Sequence, residues 1–293
     1  GTMIRSQEGG VHVLDISDPT QPVRISYYAD VVECWSMDAV GNILYVADDD
    51  RIRVVDFSDL AHPKLLGSFT IVPRGITVMG ELAYIAQEYN GIKILDVSDP
   101  AHISLVGSFH ASGSFSHGPI AVSGNYAYIS DHSGLRILDI TNPANPTEVS
   151  FTLTRGETDW IALNGSLVYA SEGSHGFSVF DVSDPIAPQL VSMAGVLGAV
   201  QTLSVSGTHL YAASSEGGLQ VYTETAETIA ALPATGQEVI TAPIYRPVVF
   251  HGVEILIQDA ASHGATPETN RPASVCTVTN TANSGAGSLR ACL

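Results

Sequence analysis

The sequence predicts an all-β fold, a β-propeller of four-stranded antiparallel blades. Three observations carry the prediction: an Asp-ending string recurs every 40 to 43 residues, a glycine-centred hairpin runs in step with it, and an apolar strand follows each Asp turn. The string reads GVHVLDISDP, RIRVVDFSDL, GIKILDVSDP, GLRILDITNP and GFSVFDVSDP, with its first Asp at positions 15, 56, 96, 139 and 181. A sixth copy, GLQVYTETAE, has Thr223 in the place of the Asp.

The hairpins read SMDAVGNILYVAD, GITVMGELAYIAQ, PIAVSGNYAYISD, WIALNGSLVYASE, TLSVSGTHLYAAS and PVVFHGVEILIQD, turning at Gly41, Gly80, Gly124, Gly165, Gly207 and Gly252. Apolar residues alternate on both arms, as paired strands around a tight turn require. Tyr45, Tyr84, Tyr128, Tyr169 and Tyr211 lie on one face of the second arm, with Leu256 in that place in the sixth hairpin. The strands after the Asp turns are VRISYY, KLLGSF, ISLVGSF, EVSFTL and QLVSM. Four strands in each period of about 42 residues is the arithmetic of a propeller blade.

The Asp-x-Ser-Asp-Pro turn has a mechanical role. Its Asp and Ser side chains accept backbone N–H bonds across the turn, and Pro fixes φ where the chain leaves the sheet. Copies facing different directions cannot converge on one Ca²⁺ ion. Six hairpins and six third strands predict six blades, with seven as the alternative. The final hairpin, residues 246–258, has no Asp-ending strand after it, so Val11 to Ile16 is expected to fill that place and close the ring.

Bulk composition agrees with a folded β chain. The 293 residues are 45% hydrophobic, with 27 Gly and 15 Pro, and no apolar run approaches the length of a membrane-spanning helix. The net charge is −18, which disfavours nucleic acid and anionic membranes as partners; nine of the 30 acids are turn residues, and the rest still outnumber the 12 bases. Cys276 and Cys292 can pair in an oxidising compartment, which leaves Cys34 over.

The third-strand strings ILDVSDP and RILDITNP, with VSGNYAYIS, resemble the LVIVD repeat family of bacterial, mostly extracellular β-propellers, over roughly Gly9 to His263. The resemblance implies a surface-interaction role and brings no catalytic residues. It makes residues 1–263 the propeller. Residues 264–275 read as a polar linker. Residues 276–293, ending in SGAGSLRACL, resemble the start of a parallel β-helix-type domain of bacterial surface proteins. A secreted or cell-surface location follows from the resemblance, as does a monomeric propeller within a larger protein.

Strand alternation sorts the loops onto two faces. Asp turns and glycine turns share one, and the remaining connections share the other, where any binding site is expected because irregular loops on a rigid scaffold carry function. Candidates there are Trp35, Arg74, Asp131, His132 and Arg155, together with Asp159, Trp160, Glu172, His175 and His117. His117, His132 and His175 fall on neighbouring blades; with Asp131 they are the residue types that hold Zn²⁺. The Asp48, Asp49 and Asp50 run invites Ca²⁺, although an acidic turn explains it as well. Trp35 and Trp160, the two tryptophans, suit stacking on a sugar or a partner, and Trp160 equally suits packing within the blade. No nucleophile elbow, His-Glu-x-x-His, phosphate loop or Cys-x-x-Cys occurs. The expectation is a non-enzymatic module that binds a protein or carbohydrate ligand. The alternative is a metal-assisted hydrolase or lyase on the same face.

Overall fold

The computed structural model describes residues 10–15, 21, 23–87, 90–110, 120–224, 229–231, 245–250 and 253–258. The expected linker, the 276–293 segment with its two cysteines, and His117 lie outside the described residues. The chain opens with β1 (Val11–Asp15) and β2 (Val23–Tyr28). The first contiguous blade holds β3 (Ser36–Val40), β4 (Ile43–Ala47), β5 (Arg51–Asp56) and β6 (Lys64–Thr70). The second holds β7 (Gly75–Met79), β8 (Leu82–Gln87), β9 (Gly91–Asp96) and β10 (Ser104–Phe109). The third holds β11 (Ala121–Ser123), β12 (Tyr126–Asp131), β13 (Gly134–Asp139) and β14 (Thr147–Leu153). The fourth holds β15 (Ile161–Asn164), β16 (Leu167–Ser171), β17 (Phe177–Asp181) and β18 (Gln189–Ala194). The fifth holds β19 (Val200–Ser206), β20 (His209–Ser214), β21 (Gly218–Glu224) and β22 (Ile229–Ala231). The hairpin β23 (Tyr245–Phe250) and β24 (Val253–Gln258) comes last.

Each of the five is a four-stranded antiparallel sheet with its strands in chain order. The count of six blades, with its seven-bladed alternative, is therefore corrected. Among the described residues, five blades are built by contiguous repeats, and the sheet at the N terminus has two strands of its own, β1 and β2. The physical reason is that a sixth contiguous repeat needs an Asp-ending third strand after β24, and the sequence has none there. The pairing across the termini is the expected one: β24 lies antiparallel to β1, with His12 opposite Leu256 and Val13 opposite Ile255.

The core lies between blades. Second and third strands read as nearly continuous apolar runs because a neighbouring blade covers each of their faces. Leu44, Tyr45, Val46 and Ala47 of β4 are all buried, as are Ala83, Tyr84, Ile85 and Ala86 of β8. Tyr45 packs with Ile76, Val78 and Leu95 of the next blade. Burial pushes the phenols of Tyr45, Tyr84 and Tyr128 above their usual range, so they are neutral packing groups.

Neighbouring blades are also tied near the axis, where β3 lies beside β7, β7 beside β11, and β15 beside β19. The backbone N–H of Val78 donates to the Asp38 carboxylate at 2.7 Å, and the Thr77 hydroxyl donates to the Ile120 carbonyl at 2.5 Å. The Trp160 indole N–H donates to the Leu203 carbonyl at 2.7 Å, and the Asn164 amide to the Gly207 carbonyl at 3.1 Å. Each bond spans about one repeat, so it fixes one blade against the next.

On the turn face the sequence reading holds for the glycines and the Asp side chains, while the Ser98 hydroxyl, expected as an acceptor, donates to Asp96 at 2.6 Å. The five described hairpin glycines, Gly41, Gly80, Gly124, Gly165 and Gly207, have φ between 56 and 62°, a region that side chains rarely adopt. Asp56, Asp96, Asp139 and Asp181 each accept the backbone N–H two residues on, at 2.7 to 2.9 Å. A second role was not visible in the sequence. The carbonyl of Pro100 sits where a Cβ on Gly67 would be, and the carbonyl of Pro143 does the same over Gly107. At the equivalent place Ser150 donates to the Pro185 carbonyl at 2.7 Å. The Asp turn of one blade thus packs onto the bulged outer strand of the blade before it.

Candidate binding face

The opposite face is built on one position repeated five times, at or just past the end of each second strand: Asp48, Gln87, Asp131, Glu172 and Ser214. All five are buried. A buried polar group must be hydrogen-bonded, and these bond largely to the connections around them. Asp48 accepts the N–H groups of Val32 and Glu33 at 3.0 Å, from the connection entering its own blade, and pairs with Arg53 at 2.7 Å. Gln87 donates to the Val72 carbonyl at 3.2 Å, and the Ser214 hydroxyl to the Leu197 carbonyl at 2.6 Å. Glu172 accepts Arg155 Nη2 at 2.7 Å and Nε at 3.0 Å, with the Ser178 hydroxyl at 2.5 Å. Asp131 takes Arg136 Nη2 at 2.7 Å, while Arg136 also reaches Glu148 and lies over the Phe151 ring, 4.4 Å from its centroid.

These are braces. Asp131 and Glu172, singled out in the sequence as ligands, hold loops in place, and their signal was the repeat phase they share with Asp48. Asp48 is likewise committed, which accounts for one carboxylate of the Asp48 to Asp50 run; Asp50 pairs with Arg51 at 2.6 Å.

The expected histidine arc is not assembled among the described residues. His132 Nδ1 lies 3.1 Å from an oxygen of Asp159, and His175 sits exposed on a short 3₁₀ turn, Gly173–His175. Among the described residues no three His, Cys, Asp or Glu side chains come together as metal donors. For Trp160 the structure takes the packing alternative. Trp160 is buried among Tyr169, Phe177 and Leu203, with its indole N–H committed to a neighbouring blade. Trp35 is half-buried, and the Arg74 guanidinium covers its ring 3.7 Å from the centroid. Trp35 and Arg74 hold the same place in consecutive repeats, just before β3 and β7. Cys34 lies on the same connection, and its thiol donates to the Ser36 carbonyl at 3.6 Å.

What remains open on this face is apolar and acidic. Val32, Val72 and Leu197 stand out on the connections between blades and Leu153 at the end of β14, and Asp30, Asp49, Glu157 and Glu216 are exposed on this face as well.

Among solved structures, a protein from Lactobacillus plantarum is similar at 13% identity, over 79% of this chain and 80% of that one, with a TM-score of 0.68. A functionally unknown protein from Desulfotomaculum acetoxidans is similar at 10% identity, over 81% and 85%, with a TM-score of 0.64. The computationally designed Ika8 protein is similar at 13% identity and a TM-score of 0.56; the match covers 73% of this chain and 65% of that protein's length. Such identities speak for the fold alone. No curated protein matches. The LVIVD repeat matches residues 4–30, 33–71, 73–111, 118–154 and 155–194. Four of these stretches each enclose one contiguous blade, the other holds β1 and β2, and together they cover more than half of the sequence: the chain belongs to the LVIVD repeat family.

Proposed function

We propose that this propeller is a non-enzymatic binding module, secreted or displayed at a cell surface, that holds its loop face against a protein partner. One observation supports the reading above the others. Val32, Val72, Leu153 and Leu197 are between 51% and 74% exposed; Val32, Val72 and Leu197 lie on connections from one blade to the next, and Leu153 ends β14 where such a connection starts. Large apolar side chains gathered on one face of a rigid scaffold mark interaction surfaces. A glycan is the weaker choice, because sugars favour open aromatic faces; here Trp160 is buried and Trp35 is covered on one side.

The test compares two surface variants. Val32→Ser, Val72→Ser and Leu197→Ser are combined in one, and Val40→Ser with Met79→Ser, at the glycine turns of the other face, in the second. Immobilised protein is screened against extracellular proteins and a glycan array. Retained proteins are expected to be lost by the first variant and kept by the second, with both melting as wild type. Ligands that ignore the loop-face variant, or turnover of a retained compound, would sink the reading.

A further inference from the structure

We infer that the loop face takes a basic protein segment, one that sets Lys or Arg side chains beside apolar ones. The inference rests on the binding-face reading above and adds the chemistry of the partner. It is carried by the way charge is distributed around the apolar tips.

The arginines at this end of the blades are already engaged within the chain. Arg51 pairs with Asp50 at 2.6 Å, Arg53 with Asp48 at 2.7 Å, Arg136 with Asp131 at 2.7 Å and Arg155 with Glu172 at 2.7 Å. Arg74 lies on Trp35. None of these cations is offered to an incoming anion without first giving up a partner. The carboxylates that pair with Arg53, Arg136 and Arg155 are the buried braces, so those pairings are fixed by the fold.

The exposed carboxylates are different residues, and three blades set them against an apolar tip. Val32 has Asp30 two residues before it; its N–H donates to Asp48, which carries the exposed Asp49 as its neighbour. Glu157 is exposed on the connection that begins at Leu153. Gly198, next to Leu197, approaches Glu216 so closely that a Cβ on it would lie 2.7 Å from the Glu216 nitrogen. An apolar contact with an anion beside it, repeated around one face, complements a cation with an aliphatic or aromatic neighbour. The overall charge of −18 favours such a partner at long range as well.

The experiment uses the whole chain and three synthetic peptides of equal length: one of Lys and Leu, one with each Lys replaced by Glu, and one with each Leu replaced by Ser. Binding is measured by calorimetry at low and physiological salt. The Lys-Leu peptide alone is expected to bind with useful affinity, weakening on the order of tenfold as salt rises. Combined Asp30→Asn, Asp49→Asn, Glu157→Gln and Glu216→Gln should abolish that salt dependence without lowering the melting temperature. Combined Asp59→Asn and Asp99→Asn, on the turn face, should leave it intact. Equal loss in both variants would reveal non-specific attraction to an acidic protein and overturn the inference, as would tight binding of the Glu peptide. If a partner found by screening needs Val32, Val72 and Leu197 yet binds independently of salt, the binding face stands and its cationic partner falls. If nothing depends on that face, both readings fail.

Discussion

Asp131 and Asp139 are eight residues apart, at the ends of two neighbouring strands of one blade, and they do opposite things. Asp131, on the loop face, is buried with Arg136, itself buried, and the pair reaches Glu148 and Phe151 on the outer strand. Asp139, on the turn face, is partly exposed and accepts the N–H of Thr141. Position in the repeat, and what covers it, decides the role. The turn face keeps one residue type because every copy makes the same local bond and carries the next contact. The loop face performs one bracing task with Asp48, Gln87, Asp131, Glu172 and Ser214, because any side chain that can bond to the surrounding loops will serve.

The largest effect that would break this contrast is expected at Asp131. Asp131→Ala leaves Arg136 buried with half of its neutralising charge and should cost about 3 kcal/mol, towards the lower end for a broken buried pair because Glu148 remains. A double-mutant cycle with Arg136→Ala should show coupling, the double variant losing clearly less than the sum of the singles. Additive losses in denaturant melts would mean that the pair is not the brace described.

The next effect separates packing from backbone strain on the turn face. In Gly107→Ala the new Cβ meets the Pro143 carbonyl 2.1 Å away, backbone against backbone, and the blades must part. Overpacking of this kind costs about 1–3 kcal/mol, occasionally more. Gly41→Ala meets nothing within 4 Å and has only φ of 61° against it, roughly 1–2 kcal/mol. A Gly41 variant that melts earlier than the Gly107 variant would show that the seam between blades is softer than the geometry implies.

Much of this was legible in the sequence, for physical reasons that also mark where legibility ends. The strands, the hairpin glycines and the Asp turns depend on residues within about one turn of each other, so each repeat displays them whole. The pairing of β1 with β24 was legible because strand accounting left one vacancy and one spare. The count of six rested on joining the last hairpin to the N-terminal strand as a sixth blade, whereas contiguous repeats build five. The Pro carbonyl over Gly67 and Gly107 joins residues 33 and 36 apart through backbone atoms, and no side-chain pattern announces that. On the loop face, Asp131 and Glu172 stood out as lone acids beside histidines. Aligning the repeats by their glycines puts both in phase with Asp48 and exposes the brace. For Trp160 the sequence left stacking and blade packing both open, since β15 enters the sheet with the same apolar spacing either way.

The smallest effect is the one that tests the turn face most directly. Asp56, Asp96, Asp139 and Asp181 have carboxyls held below the usual 3.8, the first three chiefly by the Ser58, Ser98 and Thr141 hydroxyls and Asp181 chiefly by the Ser183 N–H. A depressed folded value means that these groups add stability above 3.8 and lose it as pH falls through their lower folded values. Asp38 has the opposite sign: burial, partly offset by N–H bonds from Val78 and Ala39, raises its carboxyl, so the fold gains stability as pH falls through that raised value towards 3.8. Converting all four turn aspartates to Asn keeps an acceptor and removes the titration. Asn142 already shows the exchange at the second turn position, accepting the Ala144 N–H at 3.2 Å where Asp99 accepts that of Ala101 at 3.0 Å. The fourfold variant should therefore lose part of the carboxylates' contribution at neutral pH and lose less than wild type as pH falls below 3.8, while the Asp38 contribution above 3.8 stays as it was. An acid limb unchanged from wild type would place the protective carboxylates elsewhere.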